Sequence, residues 1–217
     1  MTITAEPLGV FDTALDRAAA GSSVILTVRG ESGAEHRVDA ASWCRTDLPG
    51  DTGLLDRCSG PTLDIGCGPG RLTLALNRRG HPALGIDISA AAVRLARARG
   101  ATALRRDVFA PLPGQGRWRH LLLADGNIGI GGDPHRLLRR CRELLAADGR
   151  LHAELAPPGT RSWSGAARIS AGAGASEPFP WAVLAADDLP ALAAATDWRV
   201  QTTWTESGRW LATLIPA

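Results

Sequence analysis

Short apolar segments alternate with amphipathic helical patterns from residue 61 onward, and this alternation constrains the fold more than any other feature. The predicted strands are 62–65, 82–86, 102–105, 119–124 and 150–156, and the predicted helices between them are 70–79, 89–99 and 133–147. Strands this short and apolar are typical of a sheet that helices cover on both faces. The chain is therefore predicted to be an α/β protein with a doubly wound, mostly parallel, Rossmann-like sheet.

The segments outside this alternation predict an N-terminal addition and a late insertion. After an irregular start and a helix near 13–20, the strands 23–29 and 35–40 form a β-hairpin, and a helix follows at 51–58. We therefore expect a hairpin and helix cap over 1–58 and a main domain over 59–217. The Gly-, Ala-, Ser- and Pro-rich stretch about 157–180 predicts an inserted loop or lid. A helix near 187–196 precedes two strands joined by a Ser-Gly turn near 207, which must pair antiparallel.

Composition excludes several classes of function. The chain has 217 residues and a formal net charge of +2, so neither nucleic acid nor membrane is an expected partner. All 24 basic residues are arginine, and there is no tyrosine, so neither lysine nor tyrosine can act as a catalytic base. The four cysteines show no metal-ligand or disulfide spacing, which predicts no metal, reduced thiols and a cytoplasmic protein. The N-terminus does not resemble a signal peptide, and a monomer or homodimer is expected.

The stretch TLDIGCGPGRL places three glycines on alternate positions where the first strand of the alternation meets its helix. Gly66, Gly68 and Gly70 let the main chain approach a ligand closely, and the helix beyond offers free N–H groups. A dinucleotide site uses the spacing GxGxxG, whereas Arg71 stands directly after the third glycine here. The acid Asp64, two residues before the loop, would repel a pyrophosphate and suits a cationic amino-acid end.

Two more acids follow the next two predicted strands. Asp87 comes 17 positions after Gly70 and can accept hydrogen bonds from a ribose diol. Asp107, at the end of the third strand, can accept from the exocyclic amine of an adenine. Each acid alone could be an ordinary loop residue, but three acids and the glycines in register with the strands indicate one site for an adenosine ligand with an amino-acid tail.

With these motifs in place, LDIGCGPGRL, LGIDIS, RRDVFAPLP and the closing hairpin resemble a class I S-adenosylmethionine-dependent methyltransferase over about residues 54–215. Within that superfamily the chain is similar to small actinobacterial-type enzymes of unassigned substrate, which carry a segment like DGNIGIGGDP. The resemblance implies a seven-stranded sheet whose last strand is antiparallel. It also implies S-adenosyl-L-methionine as the cofactor.

The resemblance further implies roles for individual residues in holding this cofactor. The loop formed by Gly66, Cys67, Gly68 and Gly70 should bend around the methionine part, and Asp64 should lie behind it and help the ammonium group. Around the adenosine part, the expected contacts are Asp87 with both ribose hydroxyls, Ile88 and Val108 with the adenine ring, and Asp107 with the adenine amine.

The acceptor should lie beyond the fourth strand, which ends at Ala124 beside the methionine end of the cofactor. Asp125 and Asn127 are then the polar side chains closest to the reactive methyl group, although the glycines around them also fit a tight structural loop. His152, on the fifth strand, could accept a proton from a hydroxyl, or could be a structural histidine paired with Glu154. We take Asp125, Asn127 and His152 as the candidate catalytic residues.

Trp43, Trp163 and Trp181 could form an apolar wall for a ring-bearing acceptor, or could simply belong to the core. The leading hypothesis is a methyltransferase acting on a small molecule, with oxygen favoured over nitrogen or carbon, in specialised metabolism. The alternatives are a dinucleotide-binding oxidoreductase and a non-catalytic module that binds S-adenosylmethionine.

Overall fold

The computed structural model describes residues 6–31, 33–172 and 175–217, so the predicted irregular start at 1–5 lies outside the described residues. The strands are β1 (Ile25–Gly30), β2 (Glu35–Asp39), β3 (Thr62–Ile65), β4 (Ala83–Asp87), β5 (Ala103–Arg105), β6 (Trp118–Leu123), β7 (Leu145–Leu155), β8 (Trp163–Ser170), β9 (Phe179–Val183), β10 (Trp198–Glu206) and β11 (Arg209–Pro216). The α-helices are α1 (Pro7–Ala19), α2 (Ala40–Trp43), α3 (Asp51–Asp56), α4 (Arg71–Arg78), α5 (Ala90–Ala98), α6 (Pro134–Leu144) and α7 (Leu189–Ala194). Two 3₁₀ segments lie at Asn127–Gly132 and Ala186–Asp188.

A seven-stranded sheet with the order β10-β11-β7-β6-β3-β4-β5 forms the centre of the molecule. Strands β3 to β7 pair in parallel, whereas β11 pairs antiparallel with both β7 and β10. All four residues of β3 are buried, as expected for a strand covered on both faces. The predicted doubly wound, Rossmann-like sheet with an antiparallel last strand is confirmed.

The helices predicted at 89–99 and 133–147 each begin at a capping side chain. The side chain of Asp133 accepts a hydrogen bond from the main-chain nitrogen of Arg136 at 3.0 Å, and Pro134 occupies the first turn of α6. The hydroxyl of Ser89 accepts from the nitrogen of Ala92 at 2.9 Å at the start of α5. Because these caps fix where the helices begin, they also fix the loops that follow β4 and β6.

The stretch predicted as a loop or lid at 157–180 contains regular structure instead, which corrects that expectation. Strand β8 lies within it, and β9 begins at its end, so that a second sheet forms with the order β2-β1-β8-β9. The small residues of this stretch suggested a loop, but Ile169 is buried against residues of the N-terminal segment, and Ala167 is buried opposite Gly30 of β1. This packing outweighs local propensity. The N-terminal hairpin and the insertion thus share one sheet, and the division between 1–58 and 59–217 stays a prediction.

Helix α1 is longer than the predicted segment 13–20, because it begins at Pro7, a residue that suits the first turn. It packs beside α5, where Asp16 pairs with Arg94 at 2.5 Å and Asp12 accepts from the hydroxyl of Ser89 at 2.5 Å. The N-terminal segment therefore reaches the edge of the large sheet. Among the described residues, none of the helices is long and apolar enough to cross a membrane.

Candidate functional site

The three glycines of the loop after β3 have positive φ angles of 72°, 52° and 80°, yet their surroundings differ. A Cβ on Gly66 would lie 2.7 Å from the side-chain nitrogen of Asn127, and one on Gly70 would lie 2.9 Å from the methyl groups of Ala96 and Ala101. A Cβ on Gly68 would meet no described atom within 4 Å. Gly66 and Gly70 are therefore required by packing, and Gly68 is the glycine that faces open space.

Cys67 serves the loop through its small buried side chain. A Cβ on Gly85 would lie 2.6 Å from its sulfur, so the thiol occupies the space that this glycine leaves on β4. Burial raises the pKa of Cys67 well above its usual value, which keeps the thiol protonated. The side chain therefore packs the loop against β4, and no nucleophilic role is supported.

Asp64 lies on β3, just before the loop, and is only 2% exposed. Its carboxylate accepts hydrogen bonds from the nitrogen of Thr73 at 3.2 Å and from the hydroxyl of Thr73 at 2.7 Å. Burial raises the pKa of Asp64 to about 6, although the hydrogen bonds from Thr73 oppose that shift. Asp64 thus links β3 to the first turn of α4, and these hydrogen bonds fix the two ends of the glycine loop.

Asp87 connects the end of β4 to the glycine loop. One carboxylate oxygen accepts from the nitrogen of Gly68 at 2.9 Å, and the other accepts from the nitrogen of Ser89 at 2.8 Å. Burial raises its pKa, and the nearby carboxylate of Asp12 acts in the same direction. The next residue, Ile88, is 49% exposed, which is unusual for a large apolar side chain and suits a contact with a planar ring.

The segment after β5 lies at the same end of the parallel strands as the loops after β3 and β4. Asp107 accepts from the nitrogen of Phe109 at 2.9 Å, while Val108 is buried. Arg140, from α6, donates to the carbonyl oxygens of Val108 at 2.8 Å and Ala110 at 2.7 Å. The predicted adenine segment is therefore held in place by an arginine that the sequence did not single out.

The segment after β6 lies directly against the glycine loop. Ala124 is buried, and the amide of Asn127 donates to the carbonyl oxygens of Ile65 and Gly66, each at 2.9 Å. Asp125 has a φ of 53°, in the left-handed region that residues other than glycine rarely adopt. The structure thus brings Asp125 and Asn127 to the predicted cofactor loop, with Asn127 in a positioning role.

Five charged side chains meet at Asp125 and form what we term the ion network: Asp51, Arg71, Asp125, Glu154 and Arg209. Arg71 pairs with Asp51 and, at 2.6 Å, with Asp125. Arg209 lies 2.8 Å from Asp51, 3.4 Å from Asp125 and 2.7 Å from Glu154. The side chain of Asp125 is the most exposed of the five, at 27%, so this carboxylate is the part of the network that faces outward.

The pKa values of two acids in the network are shifted in opposite directions. Burial of Asp51 opposes ionisation, but the hydrogen bond and charge of Arg71 outweigh it, and the pKa of Asp51 is lowered. For Asp125, burial dominates over the attraction of Arg71, so its pKa is raised. No local pattern predicts this arrangement, because Asp51, Arg71 and Arg209 come from α3, α4 and β11.

His152 does not reach this site, which corrects its assignment as a candidate base. The ring is fully buried, with one nitrogen 3.1 Å from His120 and the other 2.9 Å from the hydroxyl of Thr213. Burial lowers the pKa of His152 to about 3, and proximity to His120 adds to that effect. Glu154, which is two residues after His152 on β7, joins the ion network instead.

Cys58 lies beside the two histidines, and the three potential ligand atoms are within 4.8 Å of one another. The nitrogen of Ser59 donates to Nε2 of His120 at 3.2 Å, which leaves the proton of the neutral ring on Nδ1. That proton faces Nε2 of His152, so the pair is arranged as a hydrogen bond. A metal ion would have to displace it, and the arrangement gives no support for a metal site.

Of the three tryptophans proposed as an acceptor wall, Trp163 and Trp181 lie on the paired strands β8 and β9, whereas Trp43 ends α2. Trp43 packs against Phe11 with ring centroids 5.5 Å apart, and Trp163 lies 3.0 Å from the position of a Cβ on Gly30. Only Trp181, of these three, lies against the segment after β6, where a Cβ on Gly129 would be 3.0 Å from its ring. A wall formed by all three rings stays a prediction.

Comparison with known proteins agrees with this geometry. Residues 62–149 match a family described as "Methyltransferase domain". A SAM-dependent methyltransferase from Bacteroides fragilis, solved in complex with S-adenosyl-L-homocysteine, has a TM-score of 0.79 at 22% identity, covering 100% of this chain and 98% of that one. The match identifies a methyltransferase domain over residues 62–149, and the shared fold agrees with the resemblance to class I S-adenosylmethionine-dependent methyltransferases.

Two more distant structures are similar over most of the chain. The 1,6-didemethyltoxoflavin-N1-methyltransferase from Burkholderia thailandensis has a TM-score of 0.53 at 18% identity, covering 72% of this chain and 71% of that one. The sugar N-methyltransferase KedS8 from a Streptoalloteichus species has a TM-score of 0.57 at 17% identity, covering 76% of this chain and 84% of that one. At these identities they support the fold alone.

Proposed function

We propose that this enzyme transfers the methyl group of S-adenosylmethionine to a small-molecule acceptor that binds over Asp125. The observation that carries the proposal is the shared edge of the sheet: Gly68 faces open space, and Asp87 and Asp107 follow the next two strands on one side of it. Ligands of open α/β sheets bind at this edge. We assign the methionine part to the glycine loop and Ala124, and the adenosine part to Asp87, Ile88, Asp107 and Val108.

Oxygen remains the acceptor atom that we favour. Methyl transfer from a sulfonium is an in-line displacement that depends mainly on positioning, and a hydroxyl acceptor must also lose its proton. Asp125 is a partly exposed carboxylate beside the glycine loop, and burial raises its pKa above the ordinary value, which makes the carboxylate a stronger proton acceptor. The second candidate is an amine, because two of the similar structures are named N-methyltransferases. Cytoplasmic location, specialised metabolism and a monomeric or homodimeric state stay predictions.

The test is transfer of a labelled methyl group. Purified protein is incubated with methyl-¹³C-labelled S-adenosylmethionine and a bacterial metabolite extract, and the products are separated by size. We expect label in the low-mass fraction, and the carbon chemical shift of the methyl group will distinguish oxygen from nitrogen. Label in protein or nucleic acid would contradict a small-molecule acceptor. Tight donor binding without any transfer would instead favour a non-catalytic module.

Asp87→Ala and Asp148→Asn serve as matched variants in this assay. Asp87→Ala should strongly reduce labelling at low donor concentration because it removes the proposed ribose acceptor. Asp148 pairs with Arg119 at 3.0 Å and is 70% exposed, so Asp148→Asn removes a carboxylate of no proposed role. It should leave labelling unchanged.

A further inference from the structure

The main chain of Asp125 is held in an unfavourable conformation by a neighbouring strand. Its φ of 53° is one that glycine adopts easily and aspartate does not. The nitrogen of Asp125 donates to Oε2 of Glu154 at 2.7 Å. Glu154 lies on β7, whose pairing with β6 places the two residues at the same edge of the sheet. A side chain of one strand therefore fixes the turn that follows the next.

Glu154 also holds the guanidinium of Arg209. Oε1 of Glu154 accepts from Nε of Arg209 at 3.0 Å, and Oε2 accepts from Nη2 at 2.7 Å. This two-pronged geometry is the strong form of an arginine–carboxylate pair. The side chains of both residues are largely buried, at 16% and 13% exposure. Arg209 is thereby kept 3.4 Å from Asp125, while Arg71 contacts that carboxylate at 2.6 Å.

We propose that Glu154 is a positioning residue for methyl transfer. Through the main chain of Asp125 it aims this carboxylate at the space over the glycine loop, and through Arg209 it limits how far the carboxylate is neutralised. The inference rests on the proposed function, because it takes the sulfonium of the donor to lie in that space. Glu154 itself does not touch the donor or the acceptor.

The charge of the donor provides a readout that needs no acceptor. S-adenosylmethionine carries a positive sulfonium, whereas S-adenosylhomocysteine has a neutral sulfur and is otherwise the same molecule. A carboxylate aimed at the sulfur therefore favours the first ligand over the second. The ratio of the two dissociation constants, product over donor, measures that preference. Loss of fold or of general binding changes both constants and leaves the ratio unchanged.

The experiment is calorimetric titration of both ligands into the full chain and its variants. Asp125→Asn should lower the ratio about tenfold, since it removes the charge but keeps a residue that tolerates the left-handed region. Glu154→Ala should lower it by a similar factor. Glu154→Gln keeps an acceptor for the nitrogen of Asp125 but releases Arg209 to neutralise the carboxylate, so a smaller fall of about threefold is expected. This second variant covers the case in which Glu154→Ala does not fold.

A double-mutant cycle decides whether Glu154 acts through Asp125. In an Asp125→Asn background, Glu154→Gln should change the ratio no further. An equal fall in both backgrounds, or an unchanged ratio in Glu154→Gln or Asp125→Asn alone, would overturn the inference. Asp148→Asn controls for the loss of one carboxylate and should leave the ratio unchanged. If the wild-type protein binds neither ligand, the proposed function is wrong. If it binds both ligands and substitution of Glu154 does not change the ratio, only the inference about Glu154 is wrong.

Discussion

The carboxylate of Asp87 accepts a hydrogen bond from the main-chain nitrogen of Gly68 at 2.9 Å, so the acid after β4 and the open glycine after β3 form one unit. A substitution of Asp87 therefore affects ligand contact and loop shape together. We predict that Asp87→Ala weakens binding of S-adenosylmethionine and S-adenosylhomocysteine by the same factor, about tenfold to a hundredfold, because both contain the ribose. Calorimetry checks this, with Asp107→Asn as a milder comparison. Loss of affinity for only one of the two ligands would contradict the assignment.

Gly68→Ala and Gly70→Ala should separate ligand binding from stability. Both glycines have a positive φ, but an added methyl group at Gly68 enters open space, whereas at Gly70 it would lie 2.9 Å from Ala96 and Ala101. We expect Gly68→Ala to lower the free energy of unfolding by about 1 kcal/mol and to abolish donor binding. Gly70→Ala should cost about 3 kcal/mol, since overpacking adds to the backbone strain.

Urea denaturation measured alongside calorimetry tests the two variants together. If Gly68→Ala bound the donor normally, the ligand would not occupy the space that Gly68 faces. Equal losses of stability in both variants would mean that the packing around Gly70 adapts.

The fold and the cofactor edge could be predicted because their signals are local. Alternating strands and helices, caps such as Ser89, and acids in register with strand ends are read within a few residues. The acceptor side could not be predicted in this way, because Asp51, Arg71 and Arg209 meet Asp125 only after three separate elements pack together. The assignment of His152 as a base was wrong for a related reason. Alternation correctly placed His152 on one face of β7 with Glu154. It could not show that His120 and Thr213, from two other strands, contact both ring nitrogens.

Arg140 should matter for donor affinity although it lies outside the predicted site. Its guanidinium donates to the carbonyl oxygens of Val108 and Ala110, and its side chain is only 11% exposed. Arg140→Lys cannot make both contacts in the same geometry, so the segment after β5 should loosen. We predict about a tenfold loss of affinity for S-adenosylhomocysteine, because net hydrogen bonds are worth about 1 kcal/mol each. Arg139→Lys, on the exposed face of the same helix, is the control, and an equal loss there would contradict the role of Arg140.

The buried histidine pair should make stability fall as the solution becomes acidic. Burial lowers the pKa of His152 to about 3 and that of His120 to about 4, against 6.5 for the ordinary residue. Between about pH 4 and 6.5 the unfolded chain therefore binds more protons than the folded chain, and the free energy of unfolding decreases as pH falls through that window. Asp64 acts in the opposite direction, because its pKa is raised to about 6 and the folded state takes up its proton first.

Comparison of the wild type with His152→Gln isolates the contribution of the histidine from that of Asp64. Removing one titrating group should reduce the dependence of the unfolding free energy on pH by up to about 1.4 kcal/mol per pH unit between pH 4 and 6. Denaturation midpoints measured at several pH values give both slopes, and His135→Gln, which changes an exposed histidine, should leave the slope at its wild-type value. An unchanged slope in His152→Gln would show that His152 titrates in the folded protein as it does in the unfolded chain, contrary to its burial between His120 and Thr213.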